Sequence, residues 1–526
     1  SRVSIHDTSI TFHDRMIDKP PRRFSAVMLS LASRGSEHRL TGHARLPGDV
    51  GYRMQLDALF TGEGIDPGDW QGRVYMKGQQ LLLSSLLQYW RPDARSRGVA
   101  DFRLWIDVAS ARVVALHGEL DVRDLQIDRK IGDHMQSLSV TAIGVQLGWR
   151  RAGDEWQSAI RLHTADQPAG QWVPFVVSVS GGSHGGVEHL HVSTDRLMLD
   201  QLWQLLPAVP VLDDEHLERI VALQPSGRLT GLDILLMRAE GQIRLGRFEA
   251  QFDELGIAES ADTPYLAGLD GAVSGTGEAG VIELHSRNVD VADSRLFRDI
   301  LGFSELHGVM RWRHREDSFH LESGPMGLVN ADMALLAEFE LTQPDEEGGP
   351  HLDLTVDVES FDIGRVSHYL PARIMSPAGV AWLDNSLVSG RVEDGTVRIN
   401  GRLDQLPFDG GKGQLEVSLP VVNATLDYHD GWSPVTGLAA QVDISGRSMD
   451  ITSRHGRIRT ASLQEVRARI PDLARPHLTL EGRVQGELGV MLEELGNSPL
   501  GERYGGFVDR AITTGKCGLL LDLDIP

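Results

Sequence analysis

The sequence predicts an all-β protein made of hairpins in series, and three observations carry this prediction. Apolar and polar residues alternate with a period of two, which places residues i, i+2 and i+4 on one face of a strand. Glycine is abundant, at 57 of 526 residues, and it adopts the positive φ angles at which a chain reverses direction. Similar hairpins continue through the sequence without a convincing linker, whereas a β-sandwich closes after about seven to nine strands. We therefore expect one elongated antiparallel sheet, curled along its length, with a few short helices.

The alternation is clearest between Val397 and Ile444, where successive segments place apolar residues on one face. That predicted face comprises Val397, Ile399, Leu403, Leu415, Val417, Leu419, Val422, Leu426, Tyr428, Leu438, Val442 and Ile444. The commoner explanation of such alternation is a sheet whose apolar face packs against a second sheet in a sandwich. The length over which the pattern continues favours an extended sheet instead.

Two segments break the alternation and carry apolar residues at three- and four-residue spacing, near Leu197–Leu206 and Gly364–Leu387. In the second segment, Pro371 and Pro377 divide the helical stretch, because proline lacks an amide donor and disfavours helix at the residue before it. The sequence thus predicts one continuous module with helical inserts between β sections. Its predicted parts are 1–195, 221–363 and 391–526 as β sections, with helical inserts at 196–220 and 364–390.

Composition excludes several classes of function. The chain has 51 basic and 74 acidic residues, a net charge of -23, and nucleic-acid binding needs a positive patch. Cys517 is the only cysteine, so neither an intrachain disulfide nor a thiolate-rich metal site is expected. No stretch approaches the ~18 consecutive apolar residues of a membrane span. The sequence starts at Ser1, without an initiator Met or a signal peptide, so we expect an internal piece of a longer protein.

A G-x-G-x-x-G motif at Gly275, Gly277 and Gly280 has the spacing of a dinucleotide-binding turn. Such a turn needs a helix after it, whose N-terminus meets the pyrophosphate. The residues that follow, VIELHSRNVDV, alternate as a strand. We therefore expect a flexible hairpin here and no cofactor.

Histidines cluster at His184, His189 and His191, and the last two share a strand face on which two imidazoles could meet one metal ion. His184 lies in a glycine-rich turn, so a third ligand is missing from the pattern. We expect solvent-facing histidines on a polar strand face and no metal site. A second group, within RWRHREDSFH at 311–320, indicates a charged hairpin tip.

Carboxylates are abundant, and pairs such as Asp353 and Asp357 could be proposed as an acid and a base. A strand places these two on one exposed face, without a pocket that would separate their pKa values. No nucleophile elbow, zinc-binding helix motif or phosphate loop occurs. The sequence therefore predicts a protein that is not an enzyme; the remaining enzymatic alternative, a carbohydrate-active enzyme on a β scaffold, depends only on the abundance of Asp, Glu and Trp.

Short motifs follow one another in a fixed order between Leu352 and Asp472. They are YLP at 369–371, WLD at 382–384, ATLDY at 424–428, GW at 431–432, MDI at 449–451 and IPD at 470–472. In this order they resemble the YhdP family of AsmA-like envelope proteins, to which TamB is distantly related. A weaker likeness extends over most of the chain.

The resemblance implies a β-taco, a long sheet folded lengthwise into a groove lined with apolar side chains. It also implies a non-enzymatic conduit that carries phospholipid from the inner to the outer membrane across the periplasm. The family's N-terminal membrane helix is missing, and the sequence stops within a strand at Leu519–Pro526. The resemblance thus implies the periplasmic section of an inner-membrane-anchored protein of a Gram-negative bacterium, with both membranes contacted through the missing terminal regions.

An acyl chain on an aliphatic face gains about 0.8 kcal/mol for each CH₂ taken from water, and walls without hydrogen-bond donors permit sliding. From this picture we predict that Leu426→Asp blocks lipid passage while the sheet stays folded. The alternative is a structural β-repeat protein whose apolar face is filled by its own side chains and carries no lipid.

Overall fold

The fold is described by a computed structural model, which describes the whole chain except for fifteen short stretches. The residues left undescribed are 14–20, 64–66, 88–93, 132–133, 168–169, 185–186, 206–213, 240–241, 261–262, 316, 345–348, 410, 500, 502–512 and 526. The chain divides into two compact units, residues 1–253 (unit 1) and 254–526 (unit 2). Strand β14 (Gln242–Ile257) spans the boundary between them.

Unit 1 consists of strands with three short helices. Its strands are β1 (Arg2–Phe12), β2 (Arg22–Arg34), β3 (Glu37–Arg45), β4 (Arg53–Thr61), β5 (Gln71–Leu82), β6 (Arg95–Ala109), β7 (Arg112–Ile131), β8 (His134–Ala152), β9 (Glu155–Gln167), β10 (Gly170–Gln171), β11 (Phe175–His184), β12 (Val187–Met198) and β13 (Ser226–Ala239). Its helices are α1 (Leu83–Leu87), α2 (Leu199–Leu205) and α3 (Asp214–Leu223).

Unit 2 is also built of strands and three short α-helices. Its strands are β15 (Tyr265–Gly275), β16 (Ala279–Ala292), β17 (Leu301–Arg315), β18 (Ser318–Ser323), β19 (Met326–Val329), β20 (Met333–Pro344), β21 (His351–Asp362), β22 (Leu387–Arg402), β23 (Gln414–Leu426), β24 (Val435–Ser445), β25 (Ser448–Ile458), β26 (Ala461–Ile470), β27 (Leu478–Glu487) and β28 (Lys516–Ile525). Its helices are α4 (Val366–Tyr369), α5 (Pro377–Ser386) and α6 (Leu488–Asn497).

Both units are antiparallel meanders. In unit 1 each strand from β1 to β8 pairs with the next, and β9 pairs with both β10 and β11 before the meander continues to β13. In unit 2, β18 and β19 act as two halves of one strand, because each pairs with β17 on one side and β20 on the other. The chain is 70% strand and 11% helix, so the all-β class with a few short helices is confirmed. The section boundaries proposed from the sequence stay a prediction.

The α-helices of each unit lie on the same side of the meander, along one set of strand ends. In unit 1, α1 joins the end of β5 to the start of β6, and α2 and α3 join β12 to β13 at that same edge. The opposite edge of unit 1 has tight turns, such as the one between β2 and β3, where Gly35 has a φ of 60°. In unit 2, α4 and α5 follow β21 and α6 follows β27, again at a single edge. We call this the helix edge of each unit and the opposite one the turn edge.

β-Bulges interrupt many strands. Register shifts occur where Asp7, Gln80, Asp394, Asn423 and Glu465 adopt positive φ angles, between 45° and 55°. A bulge inserts one extra residue into a strand, bends it and shifts the face on which later side chains lie. Period-two alternation therefore fails at these positions, although it holds on either side of them.

The buried core of each unit lies against its helix edge. In unit 1 the core contains Leu81, Val122 and Ile127, and Leu87 of α1 and Leu205 of α2 pack against it. In unit 2, one cluster is centred on Val358, Val392 and Ala424, and a second, around Val435 and Val484, includes Met491 of α6. The helices thus cover part of one face of the sheet.

Candidate functional site

Aliphatic side chains line up across the strands of unit 2 in two rows. Residues that pair directly across antiparallel strands point to the same face of the sheet. The first row comprises Ala337, Val356, Val397, Val417, Ile444, Met449 and Ile470. The second comprises Leu419, Val442, Ile451, Ala468, Leu480 and Leu523. We call the face that carries these rows the apolar face of unit 2.

Unit 1 has an equivalent face. One row of directly paired residues crosses seven strands and comprises Leu31, Leu40, Ala58, Val74, Ile106, Leu116 and Trp149. A parallel row includes Leu56, Met76, Leu104, Leu147 and Ile160. Neighbouring strands are about 4.8 Å apart, so these rows form continuous aliphatic stripes at right angles to the strands.

The opposite face of each unit is polar and carries cross-strand ion pairs. In unit 1, Arg73 pairs with Asp107 at 2.6 Å, and Arg103 pairs with Glu119 at 2.8 Å. The hydrogen bond from Arg73 lowers the pKa of the Asp107 carboxyl. In unit 2, Ser418 donates to Asp443 over 2.9 Å. This face is suited to contact with water, and the two faces of the sheet therefore differ in chemistry along its strands.

Burial of the apolar face changes from one edge of the sheet to the other. Near the helix edge its residues are core residues, such as Val122 at 5% exposure and Val392 at 4%. Farther from the helices, Val417 is half-buried and Ile160 is 41% exposed. The apolar face is therefore closed at the helix edge and accessible towards the turn edge.

Helices α4 and α5 are fixed to unit 2 by polar side chains. Arg298 donates two hydrogen bonds to the carboxylate of Asp384 in α5, at 2.7 and 2.9 Å, and a third to the carbonyl oxygen of Ser367 in α4. The paired guanidinium lowers the pKa of Asp384. The hydroxyl of Tyr369 in α4 donates to Asp332 over 2.9 Å, and burial, followed by this hydrogen bond, raises the Tyr369 pKa. These contacts hold the helix pair at the edge of the sheet.

Helix α6 is fixed in a similar way. The carboxylate of Glu494 accepts hydrogen bonds from the backbone N–H and the hydroxyl of Ser433, both over 2.7 Å. Arg459 donates to Glu493 over 2.8 Å. Tyr428 packs in the cluster that includes Met491, and burial, with a smaller contribution from Glu494, raises the Tyr428 pKa to about 12. α6 thus covers the apolar face where β24 to β27 end or begin.

The structure places seven of the twelve residues predicted from the sequence on the accessible part of the apolar face of unit 2. They are Val397, Ile399, Leu415, Val417, Leu419, Val442 and Ile444, which pair with one another across β22, β23 and β24. Leu426, Tyr428 and Leu438 lie at the helix edge and pack against the cluster around Val435.

Two residues of that set lie elsewhere. Val422 pairs with Arg391 and so points to the polar face, whereas its neighbour Val421 pairs with Val392 on the apolar face. The face predicted for Val422 from period-two alternation is therefore wrong. A bulge at Asn423, where φ is 50°, then shifts the side-chain face, so Ala424 lies on the apolar face again. Leu403 follows the end of β22 in a 3₁₀ turn, where its N–H donates to the carbonyl oxygen of Pro350, so it does not continue the strand.

The motifs that resembled chemistry fall on hairpins. Gly275 pairs with Gly280 across β15 and β16, so the G-x-G-x-x-G segment is the hairpin predicted from the sequence. His189 pairs with Glu155 at 3.5 Å, and His191 is hydrogen-bonded to Asp233 over 2.5 Å, so each imidazole has its own carboxylate. Among the residues that the structure describes, no three potential metal ligands come together.

The charged segment at 311–320 forms the β17–β18 hairpin, in which Arg313 pairs with His320; its Glu316 lies outside the described residues. Asp353 accepts a hydrogen bond from Asn400 over 2.8 Å on the polar face. In the described part of the chain, no helix has the length and apolar character of a membrane span.

Comparison with known proteins gives a family for this chain. The model of the YhdP protein family matches residues 1–526. The chain is 22% identical, over 97% of its length, to a protein of Escherichia coli (strain K12) named intermembrane phospholipid transporter YhdP. The match covers 39% of that relative, so the chain spans well under half of its length. No solved structure matches the chain.

Proposed function

Because the chain belongs to the YhdP family, as the sequence resemblance predicted, we propose that its apolar face carries the acyl chains of phospholipids. The observation that carries this proposal is the register: seven consecutive strands of unit 2 each contribute one apolar side chain to a single row, from Ala337 to Ile470. The rows run across the strands, so a lipid can move along them from one strand to the next.

The energetics favour holding a chain without fixing it in place. Each CH₂ group taken from water contributes about 0.8 kcal/mol wherever it lies on an aliphatic surface. Val, Leu and Ile side chains offer no hydrogen-bond donor or acceptor that would favour one position over the next. Because strands repeat about every 4.8 Å, moving a lipid by one strand exchanges one contact for an equivalent one. The apolar face is therefore suited to sliding.

The helix edge gives the lipid an orientation. Near that edge the apolar face is buried at Val392 and Val435, and Met491 of α6 packs against the cluster around Val435. A phospholipid headgroup is charged and stays in water, since burying it without partners is costly. The headgroups therefore project past the turn edge, and the acyl tails point towards the helices.

For the whole protein, we propose a non-enzymatic conduit between the inner and outer membranes of a Gram-negative envelope, with the present chain as a periplasmic section. The family and the name of the Escherichia coli relative support this proposal. The residues proposed to line the acyl path in unit 2 are the seven predicted residues on the accessible apolar face, with Leu426, Tyr428 and Leu438 at its closed end.

A photo-crosslinking experiment tests the proposal at residue resolution. Val417 and Ser418 are adjacent in β23 but point to opposite faces, since Val417 pairs with Val397 and Ser418 with Thr396. A photo-crosslinking amino acid at position 417 is expected to capture phospholipid from cells, and the same amino acid at position 418 is expected not to. Equal capture at both positions, or none at 417, contradicts the assignment of the acyl path.

A structural protein with a self-filled core is the second candidate, and the core clusters against which α1 and α6 pack favour it. In that case the protein's own side chains fill the apolar face, and it holds no lipid. Native mass spectrometry of the purified chain distinguishes the two, because only the conduit is expected to retain phospholipid mass.

A further inference from the structure

Three rings stand side by side on the polar face of unit 1. Tyr75, Trp105 and His117 pair directly across β5, β6 and β7, so they point to one face, away from the rows of aliphatic residues. Their ring centroids are 5.4 Å apart between Tyr75 and Trp105 and 5.5 Å apart between Trp105 and His117. His117 is exposed, and both other rings are half-buried. The planes of neighbouring rings are tilted by 43° and 36°, and this row of three rings runs across three strands and ends at His117.

The row continues beyond His117 with small residues. His117 pairs with Gly148, and the following cross-strand partners are Ala159, Ser178 and Ser193. All four line a shallow concavity of about 490 Å³. A Cβ built on Gly148 would meet nothing within 4 Å, so the space beside His117 is open. The surface over Gly148 and Ala159, next to the ring of His117, is therefore open to flat rings supplied by a ligand.

The lining of this concavity has hydrogen-bonding side chains and no carboxylate, and it includes Arg150, which donates to the side-chain oxygen of Gln157 over 3.4 Å. Gln157 and Ser180 belong to its lining, with His191 on the next strand. Asp233 holds the His191 ring through a 2.5 Å hydrogen bond, and Arg247 contacts the same carboxylate at 3.3 Å. The hydrogen bond from His191, more than the contact with Arg247, lowers the pKa of Asp233. An imidazole held in this way presents its other ring nitrogen in a fixed direction.

We propose that this row is a binding site for a polysaccharide strand. A pyranose ring is flat, presents C–H groups on its faces and carries neutral hydroxyl and amide groups at its edges. Its faces can pack on the exposed ring of His117, which Trp105 and Tyr75 support. Its edges can form hydrogen bonds with the Ser, Gln and His side chains of the concavity. A nucleic acid also stacks on rings, but a chain with a net charge of -23 repels its phosphates.

Unit 2 has a comparable concavity of about 410 Å³ on its polar face, but its chemistry is different. Its lining includes Arg398, Glu416, Asp443 and Asp450, and its residues include no aromatic side chain. The polysaccharide site is thus a property of unit 1. It does not depend on lipid transport, because it lies on the polar face of unit 1, opposite the aliphatic rows of that unit.

Co-sedimentation with insoluble peptidoglycan sacculi tests the proposal. The wild-type chain is expected to sediment with sacculi, and soluble chitohexaose, a neutral amino-sugar oligomer, is expected to release it. Trp105→Ala is expected to weaken binding at least tenfold, because it removes the ring that lies between Tyr75 and His117. Tyr52→Ala is the matched control, since Tyr52 is an aromatic residue that is 51% exposed and lies outside the row.

A second variant separates binding from folding. Ala159→Tyr fills the concavity with a residue that favours strands, so the sheet is expected to keep its thermal unfolding temperature while sacculus binding falls at least tenfold. Binding by the wild type that chitohexaose does not reduce would show recognition of the peptide stems and overturn the proposal. Absence of wild-type binding, or unchanged binding in Ala159→Tyr, would overturn it as well.

Discussion

Ile451 and Thr452 offer a matched pair of positions for testing the acyl path. Ile451 lies in the second aliphatic row of unit 2 between Val442 and Ala468, and it is half-buried. Thr452 is the next residue and points to the polar face, where it pairs with Arg467 and is exposed. Ile451→Asp therefore places a carboxylate on the proposed path, and Thr452→Asp places the same group opposite a cation on the other face.

The size of the expected effect follows from the methylenes that the carboxylate displaces. An ionised group on the row keeps its water, so the acyl segment beside it leaves the surface. If about three CH₂ groups lose contact, the loss is ~2.4 kcal/mol, or roughly a 50-fold lower affinity for lipid. Thr452→Asp is expected to leave the affinity within about twofold, because it touches no acyl contact.

Fluorescent-phospholipid titration of delipidated protein measures both affinities, and circular dichroism reports whether each variant is folded. The reasoning fails if folded Ile451→Asp binds phospholipid as tightly as the wild type. It also fails if the two variants lose affinity equally, because the effect then follows added charge rather than the face.

The remaining predictions concern the helix edge. Leu426→Asp was predicted from sequence to block lipid passage in a folded sheet; since Leu426 packs against the core cluster under α6, we now expect it also to lower stability by about 2–4 kcal/mol, measured by urea unfolding. The Arg298–Asp384 pair lowers the Asp384 pKa, so its contribution is present above the unfolded pKa of the carboxyl and is lost as pH falls through the folded one. The protection factors of the α4 and α5 amides, which correct for the slower intrinsic exchange in acid, should therefore fall in acid in the wild type, and Arg298→Ala should show the low protection already at pH 7. Ser433→Ala removes a hydrogen bond to the Glu494 carboxylate, so the free energy of opening α6, measured by hydrogen exchange, should fall by about 1.5–3 kcal/mol. Unchanged exchange would show that apolar packing alone holds the helix.

Sequence reasoning reached the strands and most of the apolar face because the pleat of a strand imposes a period of two. Val397, Ile399, Val417 and Ile444 follow this period without interruption, and the structure pairs them in rows. The alternation fails only where the backbone departs from the pleat. Asn423 is such a position; asparagine adopts positive φ more readily than most residues, but its identity alone does not fix the backbone angle. The face of Val422 was therefore not predictable by period alone.

The attachment of the helices could not be predicted for a different reason. Arg298 and Asp384 are 86 residues apart, and Ser433 and Glu494 are 61 apart. In a chain with 51 basic and 74 acidic residues, each cation has many equally plausible partners. Only the three-dimensional course of the chain selects among them. Proline spacing correctly indicated an interrupted helical segment, and α4 and α5 indeed lie on either side of Pro371.

The separation of the two edges gives the sheet a direction that the alternation alone lacks. A sheet with one apolar face could bury it evenly against a second layer, as in a sandwich. Here the helices cover only the edge at which they occur, and the bulges change the side-chain face near that edge, so residues such as Val392 are buried while Val417 stays accessible. Long polar connections at both edges would remove this difference, because they would leave the core without a cover. Because Leu87 of α1 and Met491 of α6 pack against the cores at the helix edge, a single sheet buries its own core there and keeps an accessible aliphatic surface towards the turn edge.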